Sequence, residues 1–188
     1  MMLRHLPNLI SASRLLMALP IAWLIMRHQL GVAAVLFIVM AATDAIDGAL
    51  ARAYDWHSYL GSILDPMADK LLMLSTAAAL WQIELLPGWF LIVVLARDLL
   101  IVAGAYVYDT WIAPLQPEPS ILSKLTTAIH ATMLVGFMLQ GQLEINDRVC
   151  QLLLAGTTTL LVASGVHYVA RYTRRAIAHS RAQEPPHD

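Results

Sequence analysis

The sequence predicts an all-α integral membrane protein, a six-transmembrane-helix bundle with both termini cytoplasmic. Of its 188 residues, 59% are hydrophobic and 13% are charged, and the mean hydropathy is +0.63. Ordinary soluble domains carry about 25% charged residues. This composition favours a chain embedded in a lipid bilayer, so we expect the bilayer as a partner and no nucleic acid.

Six apolar stretches are each long enough to cross a bilayer, which takes about 20 residues of helix. The longest interval between them, from Asp109 to Ser120, is rich in proline and predicts a loop. The other intervals are short and favour a single bundle. We expect residues 1–175 to form the membrane domain and residues 176–188 a polar tail. The predicted helices are 8–26, 31–52, 61–82, 86–107, 121–140 and 149–170.

The orientation follows from the basic residues, because cytoplasmic flanks of membrane helices are enriched in them. With both termini inside, only Arg27 and Arg148 of the flanking arginines lie on the outer side. The cytoplasmic ends then carry Arg4, Arg14, Arg52, Arg171, Arg174, Arg175 and Arg181.

Four aspartates interrupt the second and third predicted helices near their cytoplasmic ends. Asp44 and Asp47 are three residues apart, and Asp65 and Asp69 are four apart. Residues at these spacings share one face of a helix, so all four carboxylates can face one cleft. A charge near the membrane interior costs at least about 2.5 kcal/mol, so the cluster needs neutralisation.

The nearby cations are too few to neutralise this cluster. Arg52 and Lys70 offset two charges at most, and Asp55 competes for them. Clustered carboxylates suit hard divalent cations such as Mg²⁺ or Mn²⁺. Two such ions about 4 Å apart form a clamp for phosphoryl chemistry, which predicts a site with two divalent cations.

The complete spacing D-x2-D-G-x2-A-R-x8-G-x3-D-x3-D resembles the signature of the CDP-alcohol phosphatidyltransferases. These membrane enzymes transfer a phosphatidyl group from CDP-diacylglycerol to an alcohol and release CMP. The flanking stretches "LDPMADKLL" and "PNLISASR" are also similar to that family. The matching residues are Asp44, Asp47, Gly48, Ala51, Arg52, Gly61, Asp65 and Asp69.

The resemblance implies a role for each matching residue. Asp44, Asp47 and Asp65 hold the metals, while Asp69 is both a ligand and the general base toward the acceptor hydroxyl. The resemblance also implies a homodimer. The orientation set by the arginines predicts an active site that faces the cytoplasm. The length of the chain and the lack of a targeting extension favour the cell inner membrane, with an organelle membrane of bacterial descent as the alternative. The residues expected along the CDP moiety are Gly48, Arg52, Ser58 and, from the first helix, Asn8.

Two further basic residues suggest the class of acceptor. Arg97 lies in the middle of the fourth helix and Lys124 near the start of the fifth. Cations facing the same cleft suit an acceptor that carries phosphate, such as glycerol 3-phosphate, inositol phosphate or phosphatidylglycerol. Arg97 and its neighbour Asp98 have an alternative interpretation, in which they pair with neighbouring helices for structural reasons.

Two local stretches favour phosphatidylglycerol as the acceptor. "ARDLLIVAGAYVY" and "SILSKLTTAIH" resemble the cardiolipin synthases of the family. Phosphatidylglycerophosphate synthases often have a second basic residue two places after the lysine that matches Lys124, and here that residue is Thr126. Glycerol 3-phosphate nevertheless stays open as an alternative acceptor.

Two alternatives of other kinds stay open. Intramembrane carboxylates also mark ion pathways, so a membrane transporter or cation carrier is the rival class, although no inverted repeat is visible. A hydrolase of CDP-diacylglycerol would keep the fold and use water as the acceptor.

Overall fold

The structure is a computed structural model that describes residues 6–54, 59–112 and 121–183, with side chains described within 15–43, 67–112 and 122–177. All secondary structure in these residues is helical. The helices are α1 (Leu6–Met26), α2 (Leu30–Tyr54), α3 (Tyr59–Gln82), α4 (Gly88–Trp111), α5 (Ile121–Leu139) and α6 (Asp147–Gln183).

The six helices lie where the hydropathy of the sequence predicts them, and two extend further. The last helical residue of α4 is Trp111, so the predicted loop from Asp109 begins inside this helix. The predicted sixth segment ends at residue 170, but α6 has 37 residues and ends at Gln183. At 1.5 Å per residue it is about 55 Å long, which exceeds the roughly 30 Å of a hydrocarbon core.

Within the described residues, three helical segments are long and apolar enough to span a membrane. They are Gly88–Trp111, Leu122–Leu139 and Asp147–Ile177. Shorter apolar segments occur at Leu15–Met26 and Leu30–Thr43. These segments and the composition together indicate a membrane protein.

The chain divides into two compact units. The first contains residues Met1–Gly88 and Ala131–Gln151. Within it, α1 packs against α3 and α2. Ala18, Ile21 and Ile25 form the buried face of α1, whereas Leu16 and Leu19 are exposed. Apolar residues on an outward face are suited to lipid, and small buried residues let membrane helices approach closely.

Three tight turns in the first unit share one type of helix ending. His28, Glu84 and Glu144 each have a positive φ, of 59°, 64° and 49°. At each turn an N–H reaches back five residues to a carbonyl, as in the bond from Gln29 N to Leu24 O at 2.9 Å. This is the Schellman type of helix end, whose left-handed position is usually glycine. A residue with a Cβ is therefore strained at all three turns.

The second unit contains residues Trp89–His130 and Leu152–Asp188. Its core joins apolar and polar side chains: Phe90 is fully buried and makes an edge-to-face contact with His130, with ring centroids 5.3 Å apart. Thr126 and Ser164 are also buried. The hydroxyl of Thr126 donates to Leu122 O at 2.7 Å. Thr126 thus has a hydrogen-bond acceptor, whereas His130 Nε2 and Thr157 Oγ1 are buried without a partner among the described residues.

The left-handed turns generate a stability prediction. We expect Glu84→Gly to stabilise the protein by about 1 kcal/mol, because glycine removes the Cβ strain of the left-handed conformation. Thermal unfolding in detergent measures the effect. The control is Gln82→Gly, the last residue of α3, where the backbone is helical and glycine has no left-handed strain to relieve. A fall in midpoint for both variants would contradict the strain at Glu84.

Candidate active site

The aspartates of the signature lie on two helices that share a neighbour. Asp44 and Asp47 belong to α2, and Asp65 and Asp69 belong to α3. Both helices run without a break through these positions, and α1 packs against both. The helical spacing therefore places each pair on one face of its helix. The side chains of Asp44, Asp47 and Asp65 lie outside the described part of the structure.

Asp69 is the one aspartate of the signature with a described side chain. It is half-buried, as is its neighbour Lys70, and both residues have interaction partners. Among the described side chains, no three histidine, cysteine, aspartate or glutamate residues lie together. Since this set includes a single member of the aspartate cluster, the predicted metal site stays a prediction.

The residues predicted to contact the nucleotide fall on α1, on α2 and between α2 and α3. Asn8 lies in the first turn of α1, and Gly48 and Arg52 lie in the second half of α2. Their side chains, and the whole of Ser58, lie outside the described residues. The helix assignments place Gly48 and Arg52 four residues apart on the same face of α2.

Arg97 is the best-defined charged group of the second unit. Its Nη1 donates to Asp98 Oδ1 at 2.8 Å, and its Nη2 donates to Ser123 Oγ at 3.0 Å and to Ser164 Oγ at 3.1 Å. The side chain is only 11% exposed. One guanidinium on α4 therefore joins α5 and α6, which is how an arginine inside a membrane bundle is expected to be satisfied.

The network around Arg97 leaves one of its donors without a partner. Arg97 Nε is buried, and no described residue accepts a hydrogen bond from it. A Cβ placed on Gly165 of α6 would lie 3.7 Å from Arg97 Cγ. The stem of the arginine is thus packed closely against α6, and the guanidinium is held in one position by three helices.

Lys124, the second residue predicted to bind the acceptor, is exposed on α5. It directly follows Ser123, whose hydroxyl accepts from Arg97. The structure therefore brings Arg97 to the turn of α5 that carries Lys124. Asp98, with a side chain that is 26% exposed, belongs to the same group.

Sequence reasoning did not identify Ser123 and Ser164 as parts of this group. Ser123 lies beside Lys124 in a stretch that resembles the family, but no sequence motif marks this serine as a contact of Arg97. Ser164 lies among small residues of α6 that indicate close helix packing. Only the positions of the three helices show that both hydroxyls meet Arg97.

Comparison with known proteins identifies the family. A sequence model of the CDP-alcohol phosphatidyltransferase family matches residues 4–172. The chain belongs to this family. The match includes α1 to α5, α6 as far as Tyr172 and every residue of the aspartate pattern, so it confirms the resemblance.

Several curated relatives show the same membership. The chain is 32% identical to a cardiolipin synthase (CMP-forming) / mitochondrial hydrolase fusion protein from Schizosaccharomyces pombe, over 95% of this chain and 33% of the fusion protein. It is 30% identical to a chloroplastic CDP-diacylglycerol–glycerol-3-phosphate 3-phosphatidyltransferase from Oryza sativa, over 89% and 57% of the two chains. A transferase with the same acceptor in its name, from Aquifex aeolicus, is 29% identical over 76% of this chain and 80% of its own. This family member spans less than two thirds of the length of the two eukaryotic relatives.

Proposed function

We propose that this family member transfers the phosphatidyl group of CDP-diacylglycerol to phosphatidylglycerol and releases CMP, which is the reaction of a cardiolipin synthase. The observation that carries the proposal is the family match over residues 4–172, which contains the complete aspartate pattern on α2 and α3. The family match favours phosphatidyl transfer over the transporter alternative, because the pattern also specifies Gly48, Arg52 and Gly61.

The four aspartates of the signature are suitable ligands for two divalent cations, Mg²⁺ or Mn²⁺. Asp44, Asp47, Asp65 and Asp69 supply only carboxylate oxygens, the ligands that these hard ions prefer. Their placement as one pair on each of two continuous helices supports a shared site. When bound, the cations would stabilise negative charge on the pyrophosphate and on the departing CMP.

Asp69 is the proposed general base. An alcohol attacks poorly until its proton is removed, and a carboxylate within hydrogen-bond reach can remove it. The proton passes to Asp69, the acceptor oxygen bonds to the phosphatidyl phosphorus, and the bond from that phosphorus to the CMP oxygen breaks. Half-burial of Asp69 on α3 is compatible with contact to both protein and substrate.

The nucleotide contacts assigned to Gly48, Arg52, Ser58 and Asn8 belong to the same proposal. Glycine at position 48 lets a ligand approach the backbone of α2 closely. Arg52 offers a planar fork that matches phosphate oxygens in a bidentate contact. These residues would hold CMP while Asp69 acts on the acceptor.

Arg97 and Lys124 are the proposed binding residues for the acceptor phosphate. In Arg97, Nη1 already donates a hydrogen bond to Asp98, and Nη2 donates to two serine hydroxyls. An anionic acceptor therefore either accepts a hydrogen bond from Nε or replaces Asp98 as the acceptor of the hydrogen bond from Nη1. Exposed Lys124 provides a second positive charge on the neighbouring helix.

The environment of Thr126 supports phosphatidylglycerol over glycerol 3-phosphate. This position is 1% exposed, and its hydroxyl is bonded to the carbonyl of Leu122. The chain thus offers no second cation there, and a phosphodiester with one negative charge needs fewer cations than a phosphomonoester with nearly two. Glycerol 3-phosphate is the second candidate, because relatives named for that acceptor match as well.

The proposal includes the setting of the reaction. The six apolar stretches support six membrane spans. The flanking arginines support cytoplasmic termini and an active site that faces the cytoplasm. We place the protein in the cell inner membrane as a homodimer, with residues 1–175 as the membrane domain and 176–188 as a polar tail.

The acceptor is tested with purified protein in detergent, CDP-diacylglycerol and Mg²⁺ or Mn²⁺. Phosphatidylglycerol and glycerol 3-phosphate are offered separately, and CMP and lipid products are followed. We expect CMP and cardiolipin with phosphatidylglycerol. Phosphatidylglycerophosphate as the sole product would establish the second candidate, CMP without any alcohol would establish a hydrolase, and no CMP in any tube would refute phosphatidyl transfer.

Replacing the proposed base tests its role. We expect Asp69→Asn to lower kcat by at least about 100-fold, as expected for loss of a general base, while CDP-diacylglycerol binding is largely retained. The matched control is Asp147→Asn at the start of α6, an exposed carboxylate that accepts a hydrogen bond from Gln140. Unchanged turnover in the Asp69 variant would remove this residue from the chemistry.

Changes at Arg97 separate acceptor binding from folding. We expect Arg97→Ala to raise the KM for the acceptor about tenfold or more, since a hydrogen bond to a charged group contributes about 1.5–3 kcal/mol, with little change in the donor KM. Ser164→Ala keeps the guanidinium and should have a smaller effect. Thr159→Ala is the control, because that exposed hydroxyl bonds to Ala155 of its own helix. Equal changes in both KM values would assign Arg97 a structural role.

A further inference from the structure

A cleft runs between the second halves of α4 and α6, in the second unit of the chain. Its volume is about 250 Å³. Leu100, Gly104 and Val107 line it from α4, and Tyr168, Tyr172 and Ala176 line it from α6. The surface is thus mostly apolar and aromatic along these parts of α4 and α6.

The pairing of residues across the cleft fixes its direction and length. A Cβ on Gly104 would lie 3.2 Å from Tyr168 Cε1, and the rings of Tyr108 and Tyr172 meet edge to face at 5.3 Å. The two helices therefore run side by side in the same direction. From Leu100 to Ile112 the cleft follows α4 for about 18 Å, close to the roughly 15 Å of one leaflet of a hydrocarbon core.

The walls of the cleft are suited to a lipid chain. Val107 is 52% exposed and Val169 is 46% exposed, and both helices belong to segments long enough to span a membrane. Tyr168 and Tyr172 lie against each other with centroids 4.3 Å apart. Tyrosine is enriched where hydrocarbon meets the headgroup region, so the aromatic end of the cleft suits the interface.

Positive charge collects at that same end. The guanidinium carbon of Arg175 lies 5.9 Å from the centre of the Tyr172 ring. Arg171 and Arg174 lie within one turn of it on α6, and Asp109 of α4 lies near the level of Thr173. Among the residues that the structure describes at this end, three arginines outnumber one carboxylate, and such an excess of positive charge attracts anionic lipids.

We propose that this cleft binds one anionic phospholipid, with an acyl chain along α4 and α6 and its phosphate at Arg175. The aromatic ring of Tyr172 holds the arginine at the end of the cleft, and the apolar walls exclude water from the chain. None of the residues assigned to catalysis or to acceptor binding lines the cleft.

The experiment measures lipid binding by the full chain in detergent, using native mass spectrometry and titration. The probes are phosphatidylserine, an anionic lipid that the proposed reaction does not use, and phosphatidylcholine with the same acyl chains. We expect phosphatidylserine to bind about tenfold more tightly, a factor equal to about 1.4 kcal/mol, and Arg175→Gln to abolish this preference. Arg148→Gln, at the opposite end of α6, is the charge control and should leave it intact.

A second pair of variants tests the cleft itself. Ala176→Trp fills the end of the cleft near Arg175 and should remove binding of both lipids at this site. Val102→Trp changes an exposed position on α4 outside the lining and should leave binding intact. Thermal unfolding confirms that each variant is folded. Equal affinity for the two lipids, or unchanged binding by both Arg175→Gln and Ala176→Trp, would overturn the proposal.

Discussion

The constraint on which this structure depends is the cost of placing charge inside a mostly apolar bundle. Arg97 shows how the second unit meets this cost: one carboxylate on the same helix balances the charge, and hydroxyls from two other helices accept hydrogen bonds from Nη2. Such a group stabilises the bundle only if every partner is in place, because a buried charge without partners is strongly destabilising. The arginine therefore fixes the relative positions of α4, α5 and α6.

The first unit follows a different principle. Its described interior is mostly apolar, as on the buried face of α1, with Thr76 as a buried polar residue. Close packing of α1 on α2 and α3 gives the aspartate-bearing helices a common support. A metal-dependent site needs this kind of support, because ligands on rigid helices keep their geometry better than ligands on loops.

The two proposed anion-binding places differ in a way that follows from their surroundings. Arg97 is almost enclosed and already balanced by Asp98, so an acceptor must match its remaining donor or compete with a carboxylate. Arg175 lies over an aromatic ring at the end of an open apolar cleft. The first arrangement selects a specific ligand geometry, while the second suits a lipid recognised by the charge of its headgroup.

The sequence alone determined the positions of six helices, the spacing of the aspartates and the family. These features are local or periodic: hydropathy over about 20 residues predicts a helix in a membrane, and a helical period places Asp65 and Asp69 together. Tertiary structure decided the partners of Arg97, the burial of Thr126 and the cleft lined by Tyr168 and Tyr172. Each of these depends on which residues of distant helices meet. The continuation of α6 to Gln183 was also missed, because hydropathy reports where a segment stops being apolar, whereas alanine and arginine continue a helix in water.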